Sequence, residues 1–179
     1  MHRTTDSGPP ERHGAAPTMF DGPPREVLRR AAAGLDRAEQ RGLPIEMVAA
    51  LMAMARAYGA LKAHAAAEDM LRQALRWARG SGSSDLLVEV LCELGETACA
   101  VADDCGEVDL AAVHAARERA RDVVFEVSSL VRQVADPHWE AKALLRASDV
   151  LNRCGDHEDA AWLQGRALQR MLGPGSTGH

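Results

Sequence analysis

Positive charge and long apolar runs are both scarce in this sequence of 179 residues. Lysine and arginine together number 21 against 26 aspartate and glutamate residues, which gives a net charge of −5. A phosphate backbone attracts a basic surface, so this balance excludes general nucleic-acid binding. The longest apolar candidate, residues 47–61, is interrupted by Arg56 and Gly59 and is shorter than the roughly 20 residues of a membrane-spanning helix. No membrane association is expected.

Aromatic residues are also few, at 3%, whereas hydrophobic residues make up 46% of the chain. The apolar share is mostly alanine, leucine and valine, which is typical of a globular chain that can bury a core. The length fits one ordinary domain with tails, or two very small domains, and excludes a multi-domain enzyme.

The first 22 residues lack the apolar stretch of a secretory signal and are rich in proline, glycine, serine and threonine. This composition predicts a disordered tail over residues 1–22 and a cytoplasmic protein, with Met19 as an alternative initiator. A second disordered tail is predicted over residues 173–179. Without an export signal, reduced thiols are expected at Cys92, Cys99, Cys105 and Cys154. Cys92 and Cys99 lie about 10 Å apart along one helix, too far for a disulfide.

A strand pattern is absent as well, because apolar residues from Pro24 onward recur every three or four positions rather than every two. The pattern predicts an all-α fold in one domain over residues 23–172. Breaks rich in glycine, proline and serine divide this domain, and Asp136 and Asp156 are predicted to cap the helices that follow them. The predicted helices span residues 24–41, 44–61, 64–79, 84–102, 109–134, 137–153 and 156–172.

Two stretches of the chain repeat each other, one beginning at Met47 and the other at Glu140. They align without a gap, and the matched pairs are Leu51 with Leu144, Tyr58 with Leu151, Ala67 with Ala160, Ala74 with Ala167 and Leu75 with Leu168. A middle copy begins at VLCELGETA, where Leu91 takes the place of Leu51. The alanines are small enough to let two helices cross at close range.

This pattern resembles the tetratricopeptide repeat family, whose unit is a helical hairpin with a Leu-Gly or similar pair, an aromatic residue and small residues on the second helix. Leu94-Gly95, Tyr58 and Gly155 agree with the family's positions. The copies lie further apart than the usual repeat of about 34 residues, as in the longer-helix bacterial members. The resemblance implies a right-handed α-α superhelix of about three hairpins, preceded by one extra N-terminal helix.

The resemblance also implies a concave surface lined by the first helix of each hairpin. Carrying the family's geometry onto this sequence gives a partner-binding set: Met52, Arg56, Glu89, Cys92, Glu96, Lys142, Arg146, Asp149 and Asn152. Some family members clamp the C-terminal carboxylate of a peptide with basic and amide side chains. Lys142 and Arg146 match part of this clamp. Three other positions depart from it: Met52, Arg56 and Glu93.

The middle of the chain is acidic, since no lysine or arginine occurs between Gly80 and Ala116. Glu89, Glu93 and Glu96 are spaced four and three apart, so they share one side of a helix. Such a stripe favours a basic or amphipathic partner segment, for which Met52 and Cys92 would offer soft apolar contacts. The alternative is a solvated helix face kept soluble by its charge.

The fifth predicted helix carries apolar residues at intervals of three and four: Val113, Ala116, Ala120, Val123, Val127, Leu130 and Val134. Two interpretations of this seam remain open. The seam packs inside the array, or part of it forms a homodimer interface through Val113, Val123, Val127 and Leu130.

The sequence contains no pattern typical of a metal centre or an active site. The spacing of Cys92, Cys99, Cys105 and His114 matches no compact zinc site. Residues 103–109 fail as a calcium loop, because Val108 stands where the turn needs glycine. No nucleophile with a base, glycine-rich phosphate loop or HExxH helix is found. No metal, cofactor or enzymatic activity is expected, and Tyr58, Trp77, Trp139 and Trp162 are interpreted as packing residues.

These observations predict a non-enzymatic protein-protein interaction module, an adaptor or chaperone-like protein that captures a peptide or helix in a concave groove with an acidic middle hairpin. The alternative is a ligand-sensing regulatory domain that binds a small molecule or signalling peptide in the same groove.

Overall fold

The computed structural model describes residues 22–106, 108–133 and 136–172. Within these ranges the chain forms seven α-helices and no strand, which confirms the all-α prediction. The helices are α1 (Pro24–Arg41), α2 (Pro44–Ala60), α3 (His64–Ser81), α4 (Ser84–Cys105), α5 (Leu110–Leu130), α6 (Pro137–Cys154) and α7 (His157–Leu172). The tails predicted over residues 1–22 and 173–179 lie outside the described residues, apart from Gly22. None of the described helices combines the length and hydropathy needed to span a bilayer.

The helix ends follow local signals in the sequence. Ser83, Asp109 and Asp136 each accept a hydrogen bond from a backbone N–H in the first turn of the helix that follows. Gly42 ends α1 with φ at 62°, a left-handed conformation that glycine adopts without strain. Asp156 stands directly before α7, where its backbone oxygen accepts a hydrogen bond from Ala160 N–H and its carboxylate accepts hydrogen bonds from Arg121 of α5.

Two helix ends in the middle hairpin differ from the sequence prediction. Helix α4 continues to Cys105 rather than ending at residue 102, so the turn before α5 is shorter than expected. Asp103 and Asp104 stay helical, and both carboxylates pair with side chains of neighbouring structure. Helix α5 ends at Leu130 and is followed by a short 3-10 helix, Val131–Gln133. The predicted end at residue 134 lies outside the described residues.

Helices joined by short turns pack as hairpins, α2 with α3, α4 with α5 and α6 with α7, while α1 packs on α2. Helix α4 also packs against α6 and touches α2. In the described residues, α3, α5 and α7 make no close backbone contact with one another. We call α2, α4 and α6 the inner row and α3, α5 and α7 the outer row. The inner row is therefore the more closely packed of the two.

Small residues set the spacing between the helices of a hairpin. Ala67, Ala74, Ala160 and Ala167 are at most 1% exposed, although they lie in two different hairpins. Their size lets the helices approach closely, which matches the positions aligned in the sequence repeat.

The apolar seam of α5 lies inside the array. Val113 and Val127 are 9% and 1% exposed, and Val123 and Leu130 are partly buried against the cluster that contains Val127. These side chains pack in clusters that include residues of α4. This burial supports the interpretation in which the seam packs inside the array, and the alternative, a homodimer through Val113, Val123, Val127 and Leu130, stays a prediction.

Candidate functional site

The residues predicted to line a groove lie on the inner row, but not all of them reach its surface. Arg56, Lys142 and Asp149 are exposed, and the partly exposed members are Glu89, Glu96, Arg146 and Asn152. Met52 and Cys92 are only 4% and 3% exposed. Helix α4 packs on both α2 and α6 and so covers positions that the sequence pattern placed on the surface. The structure therefore buries Met52 and Cys92, the two residues that were expected to offer soft apolar contacts to a partner.

The acidic stripe of α4 is paired with arginines within the chain. Arg56 of α2 pairs with Glu93 across 2.6 Å and with Glu89 across 3.7 Å. Arg146 of α6 pairs with Glu96 across 2.8 Å and with Glu93 across 3.5 Å. Since α4 lies between α2 and α6, arginines reach it from both sides. We call these five residues the α4 ladder, and it replaces the unopposed acidic field expected from the sequence.

The C-terminal end of α4 is compensated in the same way. Arg153 of α6 pairs with Asp103, and Asp104 bonds to His64 across 2.9 Å and to Lys62 across 3.2 Å. The hydrogen bond to His64, followed by that to Lys62, holds the pKa of Asp104 below its ordinary value. Residues of α6, of the α2–α3 turn and of the start of α3 thus pair with the acidic C-terminal end of α4.

A small cleft of about 30 Å³ opens between α4 and α6 on the inner row. Four predicted residues line it, together with Trp139: Glu89, Cys92, Lys142 and Arg146. A space of this size holds about one water molecule or one small chemical group. The cleft can therefore receive the end of a side chain but not a whole segment.

The thiol in this cleft is a poor nucleophile. Burial raises the pKa of Cys92 to about 12, a rise that Arg146 opposes and the neighbouring carboxylates reinforce. A thiol with this pKa is almost fully protonated at neutral pH, and the thiolate is the reactive form. The geometry therefore gives Cys92 a packing role.

Two other thiols meet between α4 and α6. The sulfur atoms of Cys99 and Cys154 lie 4.0 Å apart, and both residues are buried. Burial raises the pKa of both thiols, that of Cys99 to about 12. They act as small side chains that let α4 and α6 pack closely. In the part of the chain that the structure describes, no three His, Cys, Asp or Glu residues are grouped so that they could hold a metal ion.

A cleft of about 580 Å³ lies between α5 and α7, and we call it the outer cleft. Phe125 of α5 is 81% exposed and Trp162 of α7 is 59% exposed, and both line this cleft. Buried lining residues form the floor, namely Val124, Leu151 and Leu163. The polar lining residues are Arg121, Asp122, Ser128, Arg132, Asp156 and Asp159. The outer cleft therefore combines an apolar floor, two exposed rings and a rim with charges of both signs.

Ion pairs join α5 to the outer-row structure on both sides of it. Between α3 and α5, Glu68 pairs with Arg119 across 3.5 Å and Arg79 pairs with Glu126 across 2.9 Å. Between α5 and α7, Arg121 pairs with Asp156 across 2.6 Å at the start of α7. Phe125 and Trp162 line the same outer cleft as this ion pair.

Sequence reasoning missed the outer cleft. Trp162 was expected to be a packing residue and Phe125 had no predicted role, whereas both rings are exposed in the structure. A signal was available, because Phe125 lies off the seam of α5 that runs through Val123, Val127 and Leu130. A bulky aromatic residue away from the apolar side of a helix is expected on the surface.

Comparison with protein-family models and with curated proteins finds no match. The geometry of the outer cleft and of the inner row therefore carries the functional proposal.

Proposed function

We propose that this protein is a non-enzymatic protein-protein interaction module, adaptor or chaperone-like, that captures a helix or extended segment of its partner in the outer cleft. The observation that carries the proposal is the exposure of two aromatic rings, Phe125 and Trp162, along one open cleft. Neither ring contributes to the core, and aromatic side chains are enriched where partners bind. An exposed apolar patch with a polar rim is typical of an interaction surface.

The two rings supply the apolar anchor of the site. Burying a large apolar side chain contributes about 1.5–3 kcal/mol, and most of this is unrealised while Phe125 is 81% exposed. The rim places Asp122 and Asp159 on the same cleft as Arg132. An amphipathic segment with bulky apolar residues on one side and charges of both signs at its borders matches this arrangement.

A small molecule is the alternative occupant, as expected of a ligand-sensing regulatory domain. The volume of about 580 Å³ falls within the range of roughly 300–1,000 Å³ that ligand sites occupy. Thermal shift assays separate the two occupants. A saturable rise in melting temperature with a small aromatic ligand favours sensing, whereas a rise with an amphipathic peptide alone favours capture.

A quantitative pull-down from the native organism, with mass spectrometry, tests the capture proposal. Phe125→Ser and Trp162→Ser are expected to lose the partner that the wild type recovers. Trp77→Ser is the matched control, because Trp77 is 45% exposed on α3 and does not line the outer cleft. Circular dichroism verifies that all three variants are folded. Equal recovery by all of them would refute the outer cleft as the binding site.

The inner row is a second candidate, favoured by the small cleft that brings together Glu89, Cys92, Lys142 and Arg146. A basic or amphipathic segment bound there would exchange ion pairs with the α4 ladder. Glu89 is the residue to reverse, because its side chain is 46% exposed and its contact to Arg56 is long, at 3.7 Å. Glu93 and Glu96 make the short pairs that join α4 to its neighbours, so reversing them would also perturb the fold.

If the partner binds the inner row, the Glu89→Lys variant is expected to lose in the pull-down a partner that the Glu39→Lys variant retains. Glu39 is exposed on α1, away from the inner row, and carries the same charge change. Retention of every partner by Glu89→Lys would leave the α4 ladder with a structural role only and overturn the second proposal.

The finer architecture is also a proposal. The hairpins α2–α3, α4–α5 and α6–α7 are tetratricopeptide-like, follow α1 as an extra helix and wind into a right-handed superhelix. The matching burial of Ala67 with Ala160 and of Ala74 with Ala167, and the tighter inner row, support this. A crystal structure measures the rotation from hairpin to hairpin, and a left-handed or irregular rotation would contradict it. Cell fractionation tests the cytoplasmic location that belongs to the same proposal.

A further inference from the structure

The last helix carries an apolar side that the hairpin packing does not use. Ala161, Gly165, Leu168 and Leu172 recur at intervals of four, three and four, so they lie along one side of α7. All four are exposed, Leu168 to 56% and Leu172 to 65%. We call these uncharged residues the α7 end row. The row is centred about 90° around α7 from Trp162, the ring that lines the outer cleft.

The equivalent side of α3 shows what this side of a hairpin contacts. The alignment of the sequence repeat places four α3 residues at the positions of the end row: Glu68, Arg72, Leu75 and Arg79. Leu75 packs against the core clusters that contain Val88 and Val90 of α4. Two of the others pair with α5, Glu68 with Arg119 and Arg79 with Glu126. In the first hairpin this side is therefore covered by the next hairpin.

No hairpin follows α7 within the described residues to cover the end row. Two charged positions of α3 that pair with α5, Glu68 and Arg79, correspond to Ala161 and Leu172 in α7. The side of α7 is thus suited to an apolar cover rather than to ion pairs.

We propose that a second copy of this chain covers the end row, with the two α7 helices packed antiparallel about a twofold axis. The row is self-complementary in this arrangement. Gly165 faces the partner's Leu168 and Ala161 faces the partner's Leu172, because both pairs are centred between residues 166 and 167. Small residues therefore meet large ones along the whole contact. Nothing lies within 4 Å of the place where a Cβ on Gly165 would stand, so a leucine can approach the backbone there.

The opposite end of the array favours this symmetric arrangement over a head-to-tail stack. Helix α1 buries Val27, Ala31 and Ala38 and exposes polar side chains that include Arg29, Asp36, Arg37 and Gln40. A polar outer side is what the terminal helix of a helical array needs in water. In the described residues the α1 end is polar and the α7 end is apolar, so the matching surface for one end row is another end row, which gives a closed twofold dimer.

Sedimentation velocity tests the proposal by comparing the mass in solution with the 19.2 kDa of one chain, at concentrations up to about 100 μM. The wild type is expected to form a dimer. Gly165→Glu is expected to raise the dissociation constant at least about tenfold, because it buries two unpaired carboxylates at the contact. The space around Gly165 is open, so this variant keeps the monomer fold. Gly80→Glu is the matched control on α3, where the space is equally open, and dimerises like the wild type.

Cysteine cross-linking locates the contact. In Ala161→Cys with Leu172→Cys, the two new thiols of one chain lie about 16 Å apart along the helix, too far to bond to each other. Oxidation by copper phenanthroline in air is expected to join each new thiol to the partner's opposite one and to give a covalent dimer that the wild type does not form. A monomeric wild type, a fully dimeric Gly165→Glu variant or a double-cysteine variant that stays uncross-linked would each overturn the proposal. None of these results depends on capture in the outer cleft.

Discussion

Glu140 holds α7 on the array through a buried carboxylate. The residue lies in α6, is 1% exposed and pairs with Arg166 across 3.3 Å and with Arg170 across 2.8 Å, both from α7. Removing one partner of a fully buried ion pair costs about 3–5 kcal/mol. Here the arginine side chains are 21% and 53% exposed, so water replaces part of the lost contact. Glu140→Gln is therefore expected to lower the free energy of unfolding by about 2 kcal/mol.

Urea unfolding followed by far-ultraviolet circular dichroism measures this change. For a chain of this size, a loss of about 2 kcal/mol also lowers the melting temperature by roughly 4–8 °C. Glu39→Gln, an exposed change on α1, is the control and is expected to stay within about 0.5 kcal/mol of the wild type. If Glu140→Gln is as stable as this control, the ion pairs of Glu140 do not fasten α7 to α6.

Three further predictions follow from the packing. In urea titrations, Gly95→Ala is expected to raise the free energy of unfolding by up to about 1 kcal/mol. Gly95→Leu is expected to lower it by about 1–3 kcal/mol. The reason is that a Cβ at this position meets valine side chains at 3.4–3.5 Å, in ordinary contact, and leaves no room for a larger side chain. The opposite order would contradict the packing around α4. A thiol reagent is expected to modify the partly exposed Cys105 first and Cys92 far more slowly. The pKa of Cys92 is about 12 instead of 9.0, which reduces its thiolate fraction about a thousandfold. Equal modification rates at the two residues would contradict the burial of Cys92. Glu126→Gln removes the exposed pair with Arg79 and is expected to cost less than about 1 kcal/mol in thermal melts, so a larger loss would show that this pair holds α3 to α5.

Local signals in the sequence were sufficient to predict the seven helices, although not the ends of α4 and α5. Gly42 ends α1 and Ser83, Asp109 and Asp136 cap the helices that follow them, and each of these effects depends on residues close together in the chain. The alanine pattern was sufficient for the packing inside hairpins, because Ala67 and Ala160 have to be small wherever two helices cross closely.

The surface could not be predicted in the same way. Glu93 pairs with Arg56 and Arg146, which are 37 and 53 residues distant in the sequence. The charges along the chain predict an acidic stripe on α4, whereas in the fold arginines from α2 and α6 pair with it. Cys99 and Cys154 likewise meet only because α4 packs on α6. The outer cleft depends on the distance between α5 and α7, which no local pattern of residues encodes.

The most direct test of capture in the outer cleft is site-specific photo-cross-linking in the native organism. A benzophenone amino acid replaces Phe125 in one strain and Trp77 in another. The account predicts a cross-link from position 125 to the partner recovered by pull-down and no cross-link to that partner from position 77. A partner that cross-links from a probe at Glu89 but not from position 125 would place recognition on the inner row and contradict the account.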